Sequence, residues 1–170
     1  MPDSSSDFNA TNSLLAAYQG QVRVRVCGLL VQDGAVLLTA HRGMLPDEAL
    51  FWSPPGGGWQ FGETIQDCLR REYQEETNLR VSVGRFLHLH EFGNETLQAL
   101  ELFFEVKPTD PTARPRLGSD PEHAAGAQLL TTLAYCTPRQ LAALPIAQVH
   151  PVLRHIISPD DVYIPYNLFR

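Results

Sequence analysis

Cysteine is scarce: Cys27, Cys68 and Cys136 are the only three in 170 residues, and no two stand in C-x-x-C spacing. A disulfide framework and a zinc knuckle are thereby excluded, and a reducing, cytoplasmic setting fits. No apolar run reaches the length of a membrane span, and the polar start from Met1 to Asn12 lacks the basic-then-apolar order of a secretory signal. Positive charge is also short. Thirteen Lys and Arg stand against 19 Asp and Glu, a formal net charge of −6, which argues against duplex nucleic acid or an anionic membrane as partner. An anionic substrate then needs local help from cations. Internal repeats and long low-complexity tracts are missing, so solenoid architectures are excluded as well.

What is present suffices for one core. A hydrophobic content of 44% and an aromatic content of 9% suit a single domain over 21–158, with a flexible N-terminal tail over 1–20 and a C-terminal tail over 159–170. Leu14 to Tyr18 suits a short helical turn within the first tail. Val22, Val24 and Val26 alternate with Arg23, Arg25 and Cys27, and Asp33-Gly34 precedes the apolar Ala35 to Leu38; the pattern predicts a hairpin of two partly buried strands. Strands are also expected over Arg80 to Val83, Phe86 to Phe92, Leu97 to Val106 and Ala127 to Leu130, with a loop from Lys107 to Gly126. Thr137-Pro138 opens a helix through Leu144, and His150-Pro151 another through Ile157.

The chemistry concentrates between the glycine run Gly56-Gly57-Gly58 and the helix that follows it. Thr64, with Asp67 three residues on, suits a helix start, and Asn78 a left-handed stop. At about 100° per residue, Cys68, Leu69 and Tyr73 share an inward sector, and Glu72, Glu75 and Glu76 continue that stripe. A run of acids on a helix is ordinarily a solvated face. Here the three carboxylates stand three and four residues apart on the stripe that must pack inward, where like charges repel and burial worsens the repulsion. A counter-cation relieves this, and clustered hard oxygens without His or Cys favour Mg²⁺ or Mn²⁺ over zinc. Arg71 and Glu63 suit a buttressing ion pair. The glycines let backbone approach a ligand, although such a triplet taken alone is commonly just a turn.

Gly57, Glu63, Arg71, Glu72, Glu75, Glu76 and Leu79 stand at the spacing of the Nudix box, and the segment resembles the Nudix hydrolase family. Tyr73 departs from its usual aliphatic residue, and Asn78 from its terminal glycine. The resemblance implies an α+β Nudix fold, a mixed β-sheet sandwiched between α-helices. It further implies a pyrophosphohydrolase that cleaves a diphosphate linkage in a nucleoside diphosphate derivative. Glu72, Glu75, Glu76 and the Gly56 carbonyl would hold the metal; Arg71 and Glu63 would orient them; a loop acid, Glu122 ahead of Asp120, would complete the site. The general base stays open between Glu72 and Glu122.

Substrate signals are thinner. Gly57, Gly58, Arg42 and Trp59 are the candidate substrate contacts, with His41 beside Arg42. Phe51, Trp52, Trp59 and Phe61 flank the glycines and suit either base stacking or packing. His88 and His90 share a strand face and suit a metal pair, but no third ligand accompanies them, and satisfied strand histidines are the commoner case. A nucleoside triphosphate or modified nucleotide is the leading substrate, with homodimer formation left open. The competing reading is a catalytically silent Nudix-like nucleotide-binding regulatory module, which an intact acidic cluster disfavours.

Overall fold

The computed structural model describes residues 20–94, 97–118, 129–163 and 166–168. The expected helical turn over Leu14 to Tyr18, the loop acids Asp120 and Glu122, and the start of the strand expected from Ala127 lie outside the described residues. Two sheets form the centre. In the first, β1 (Val22–Leu29) pairs antiparallel with β5 (Gly56–Gly58) and parallel with β7 (Gln98–Pro108). There β7 pairs antiparallel with β6 (Val81–Gly93), and β6 parallel with β9 (Tyr166–Leu168). The second sheet is antiparallel. Its β3 (Ala35–His41) takes β8 (Leu130–Cys136) on one edge, with β2 (Val31–Gln32) and β4 (Phe51–Ser53) at opposite ends of the other. The α+β class holds, with the expected single sheet divided in two.

Asp33 and Gly34 both adopt positive φ, 51° and 77°, the conformation of a tight hairpin turn. Only Val31 and Gln32 pair back across it, however. The expected long hairpin does not form, because β1 satisfies its backbone along its whole length by parallel pairing with β7, from Val22↔Gln98 to Leu29↔Glu105. The two strands expected over 80–92 are one strand, β6, interrupted by irregularities between Val83 and Phe86 and between Phe86 and His88.

Helices cover both sides of the sheets. On one side α1 (Ile65–Thr77) buries Cys68, Leu69 and Tyr73 against Val26, Leu30, Leu37, Leu79, Val81 and Val106. On the other, α2 (Pro138–Ala143) and the turns after it cover Cys27, Leu29, Val36, Leu38, Leu87 and Phe103. Successive residues of β1 and β3 serve opposite cores, as the period of two requires. The helix expected from His150 to Ile157 is a single 3₁₀ turn, Pro151–Leu153, capped by the His150 side chain, which accepts from the Val152 N–H. Pro159 starts a further turn, Pro159–Tyr163, that buries Val162 completely. With β9 paired to His88–His90, the described part of the expected C-terminal tail is joined to the domain. No helix among the described residues is long and apolar enough to cross a membrane.

Thr64 caps α1: its hydroxyl accepts from the Asp67 N–H and donates to the Asp67 carboxylate. Asn78 ends the helix in the left-handed region, φ 56° and ψ 17°, and its side-chain amide donates to the Arg116 carbonyl. Tyr73 accounts for its own departure from the aliphatic pattern. Its ring lies where a Cβ at Gly28 would stand, 2.5 Å from Cε2, and its hydroxyl donates to the Gly28 carbonyl at 2.8 Å. A buried hydroxyl is tolerated because it is bonded, and the ring fits because position 28 has no side chain.

Asn78→Gly should leave urea unfolding nearly unchanged, while Asn78→Val should cost about 1 kcal/mol or more, since a β-branched residue resists positive φ. Equal, large losses from both would show that the Asn78 amide itself carries the stability. Gly28→Ala should cost about 1–3 kcal/mol through overpacking. Adding Tyr73→Leu should make the alanine less damaging than it is beside tyrosine; simple additivity of the two changes in a double-mutant cycle would refute the steric pairing.

Candidate active site

The helix cap and the glycine strand together decide where the carboxylates go. Thr64 sets the phase of α1, so Glu72 and Glu76 fall on its buried side with Glu75 half-buried between them. Next to them runs β5, held edge-on to β1 by the pairs Arg25↔Gly58, Val26↔Gly57 and Cys27↔Gly56. A Cβ on Gly57 would collide with the Glu72 carboxylate, and one on Gly56 with the backbone of Val26 and Cys27. Gly56 also has φ 150°. Gly56 and Gly57 are therefore glycine for space, and the helix lies close enough for the Gly56 N–H to donate to Glu76 Oε2 at 3.0 Å.

Arg71 organises the acids. Its Nε and Nη2 donate to the two oxygens of Glu63 at 3.2 and 3.0 Å, a bidentate fork. Its Nη1 donates to Glu72 Oε1 at 2.7 Å and to Glu75 Oε2 at 3.2 Å, and Nη2 also donates to the Gly58 carbonyl. The guanidinium holds the Glu63 carboxyl below its ordinary pKa. Hydrogen bonding to Glu63 outweighs desolvation to raise the Arg71 pKa. Burial, with Glu63 beside it, pushes the Cys68 thiol up to about 12, the direction that disfavours a thiolate.

A cleft opens over these groups. It is lined by Glu72, Glu75, Glu76, Gly56 and Gly57 together with Arg23, Arg25, His41, Met44, Phe51 and Ser53. Three carboxylates and two guanidiniums thus share one wall-to-wall space. Its volume of about 130 Å³ is below that of a whole-ligand pocket, roughly 300 Å³ upward, and suits the phosphate end of a ligand. The carboxylates and the Gly56 carbonyl form an all-oxygen set, which fits a hard divalent cation. The Gly56 carbonyl already accepts from Arg25 Nη2 at 3.0 Å, but a carbonyl oxygen has a second lone pair.

Of the residues expected at the site, Gly56, Gly57, Glu72, Glu75 and Glu76 meet at the cleft, with Arg71 and Glu63 bonded behind them. Others do not. Arg42 is exposed and outside the lining, because it follows His41 across the pleat at the end of β3. Gly58 turns its carbonyl to Arg71, and Trp59 donates its indole N–H to the Glu63 carbonyl at 2.9 Å. Among the aromatics, Phe51 reaches the cleft, Trp52 packs on the core and Phe61 is fully exposed. His88 and His90 are satisfied strand histidines, the commoner of the two readings. His88 Nε2 bonds the Val162 carbonyl, whereas His90 meets Glu101 and His150. Arg23 and Arg25 were missed as site residues, although the Val-Arg-Val-Arg-Val alternation already placed them on one face of β1.

Sequence relatives include the nucleoside triphosphatase NudI of Enterobacter sp. (strain 638), 38% identical over 64 residues, 36% of this chain and 43% of that protein. NudI of Escherichia fergusonii is 46% identical over 57 residues, 32% of this chain and 38% of that protein. The match spans less than half the length of these curated relatives. Solved structures with this fold include the MutT NUDIX hydrolase from Burkholderia pseudomallei, with TM-score 0.58 and 22% identity over 79% of this chain and 94% of that one. The MutT protein from Methanosarcina mazei Go1 has TM-score 0.59 and 16% identity over 76% of this chain and 85% of that one. The NUDIX domain family matches residues 20–156, most of the chain and all of the cleft described above, and the chain belongs to that family.

Proposed function

We propose that this chain is a pyrophosphohydrolase that cleaves a diphosphate linkage in a nucleotide, with a nucleoside triphosphate as the favoured substrate. The single observation that carries the reading is the division of charge across one cleft, carboxylates on the α1 side and Arg23 with Arg25 on the β1 side. A divalent cation belongs against the first wall and phosphate oxygens against the second. NudI, a relative matched over about a third of this chain, is named a nucleoside triphosphatase, which supports the substrate class.

In this reading Glu72, Glu75, Glu76 and the Gly56 carbonyl hold Mg²⁺ or Mn²⁺. When bound, the cation supplies activation of the attacking water and neutralises charge on the phosphate oxygens. Arg71, anchored by Glu63, keeps Glu72 and Glu75 at fixed positions, so little reorganisation is needed at the reacting phosphate. Arg23 and Arg25 bind phosphate oxygens from the opposite wall, and Phe51 offers a face to the base. The proton released by water passes to a carboxylate, either Glu72 or Glu122. No side chain forms a covalent intermediate.

Mg²⁺ or Mn²⁺ should raise the melting temperature of the parent and leave a Glu75→Gln, Glu76→Gln variant nearly unmoved, because ligand binding to the folded state alone stabilises it. An equal metal response in both proteins would remove the carboxylates from the metal site. Either single glutamine should lower kcat by about 100-fold or more, the scale on which one preorganised electrostatic contact acts. Hydrolysis in ¹⁸O-water should place the label in one phosphate product by mass spectrometry. Label in a non-phosphate product, or full turnover in excess chelator, would overturn the mechanism.

A further inference from the structure

Behind the basic wall, three strands bring three polar residues into line. Register pairs Arg25 of β1 with Glu101 of β7, and Glu101 with His90 of β6. His150 reaches the same carboxylate from beside β4, where its N–H donates to the Trp52 carbonyl. Glu101 Oε2 lies 2.7 Å from His90 Nδ1 and 2.8 Å from His150 Nε2, while Oε1 lies 3.4 Å from Arg25 Nη1. Glu101, His90 and His150 are all buried.

Ring packing holds His150 in place: Phe51, His90 and Phe103 surround it at centroid distances of 6.0, 5.1 and 5.4 Å. Its Nδ1 accepts from the Val152 N–H, so the ring proton sits on Nε2 and is donated to Glu101. That tautomer disfavours a metal ion at this trio, since coordination by Nε2 would move the proton to Nδ1, against the Val152 N–H. The cluster is a hydrogen-bonding cradle for an ionised carboxylate. Burial works against that charge, but the two imidazoles and Arg25 prevail and hold Glu101 well below the ordinary carboxylate range. Arg25 Nε is buried without a hydrogen-bond partner among the described residues. The direction of the guanidinium therefore depends on its contacts to Glu101 and the Gly56 carbonyl.

We infer that Glu101, pinned by His90 and His150, is a positioning residue that aims Arg25 into the cleft as a contact for substrate phosphate. The inference rests on the proposed reading of the cleft as a diphosphate site. Arg25 contacts phosphate before and during the reaction, so loss of its aim weakens substrate binding rather than the chemical step.

The test begins with hydrolysis of nucleoside triphosphates by the parent in Mg²⁺, followed by calorimetric titration of a methylene-bridged triphosphate analogue. Parent, Glu101→Gln, Arg25→Lys and the double variant are compared, with melting curves to establish folding. Each single change should weaken analogue binding and raise KM by about tenfold while kcat stays within about twofold. The double variant should bind no more weakly than Arg25→Lys alone. Losses that multiply in the double variant, or parent-like binding by folded Glu101→Gln, would overturn the inference. If Glu101→Gln does not melt cooperatively, His90→Gln decides the matter. It should weaken binding in the parent background and have no effect beside Arg25→Lys; unchanged binding in the parent background overturns the inference. A parent that neither hydrolyses nor binds triphosphates would overturn the functional reading beneath it.

Discussion

The contact between the Glu72 carboxylate and the backbone of Gly57 sets the rest of the site. Any side chain at position 57 would occupy the volume of that carboxylate, and the end of the Glu72 side chain would have to leave its place. With it would go the bond from Arg71 to Glu72, while the Gly56 N–H to Glu76 bond shows how closely the same strand edge and helix flank approach. The absence of one carbon thus allows a strand edge and a helix flank to share a charged surface. Desolvated carboxylates are costly, and here the cost is offset by peptide N–H groups and guanidiniums brought within bonding distance by the same close approach.

The acidic helix was legible because every feature that forms it is local. The 3.6-residue period, the Thr64 cap, the Asn78 stop and the spacing of Glu72, Glu75 and Glu76 all lie within one continuous segment, and each reports on the same helix. Arg71 with Glu63 was legible for the same reason. Arg42, expected as a substrate contact, lies outside the cleft lining, because nearness in sequence does not say which side of a pleat a residue takes. One step along β3 separates His41 in the cleft from Arg42 outside it. Arg23 and Arg25 carried a usable signal in their alternation with valine, but their role depends on β5 arriving beside β1, a pairing across about thirty residues.

Fold legibility follows the same division between local and distant information. Individual strands, both capped helices and the Asp33-Gly34 turn come from local chemistry, whereas strand partners do not. Period-two patterning says that β1 has two faces and is silent on its edges, so the expected hairpin was reasonable and the parallel pairing with β7 was not readable. The glutamate at position 101 is the sharpest case. In sequence it is one of two acids, with Glu105, inside the largely apolar run from Leu97 to Val106, and only the register across β1, β7 and β6 puts it between Arg25 and His90.

Local inconsistency with the sequence pattern coincides with both walls of the cleft. A helix that places acids on its buried stripe and a core strand that carries a buried glutamate each violate the patterning that the surrounding apolar residues obey. Replacement of such groups by apolar residues is often neutral or favourable for stability in general, so fold stability alone gives no reason for either arrangement. The two violations converge on one space from opposite sides, through Arg71 on the acidic wall and Arg25 on the basic wall. Each arginine is fixed by a carboxylate that lies outside the cleft lining, Glu63 for one and Glu101 for the other. The architecture therefore holds an anchored guanidinium on each side of the cleft, Arg71 behind the carboxylates that line it and Arg25 in the lining itself.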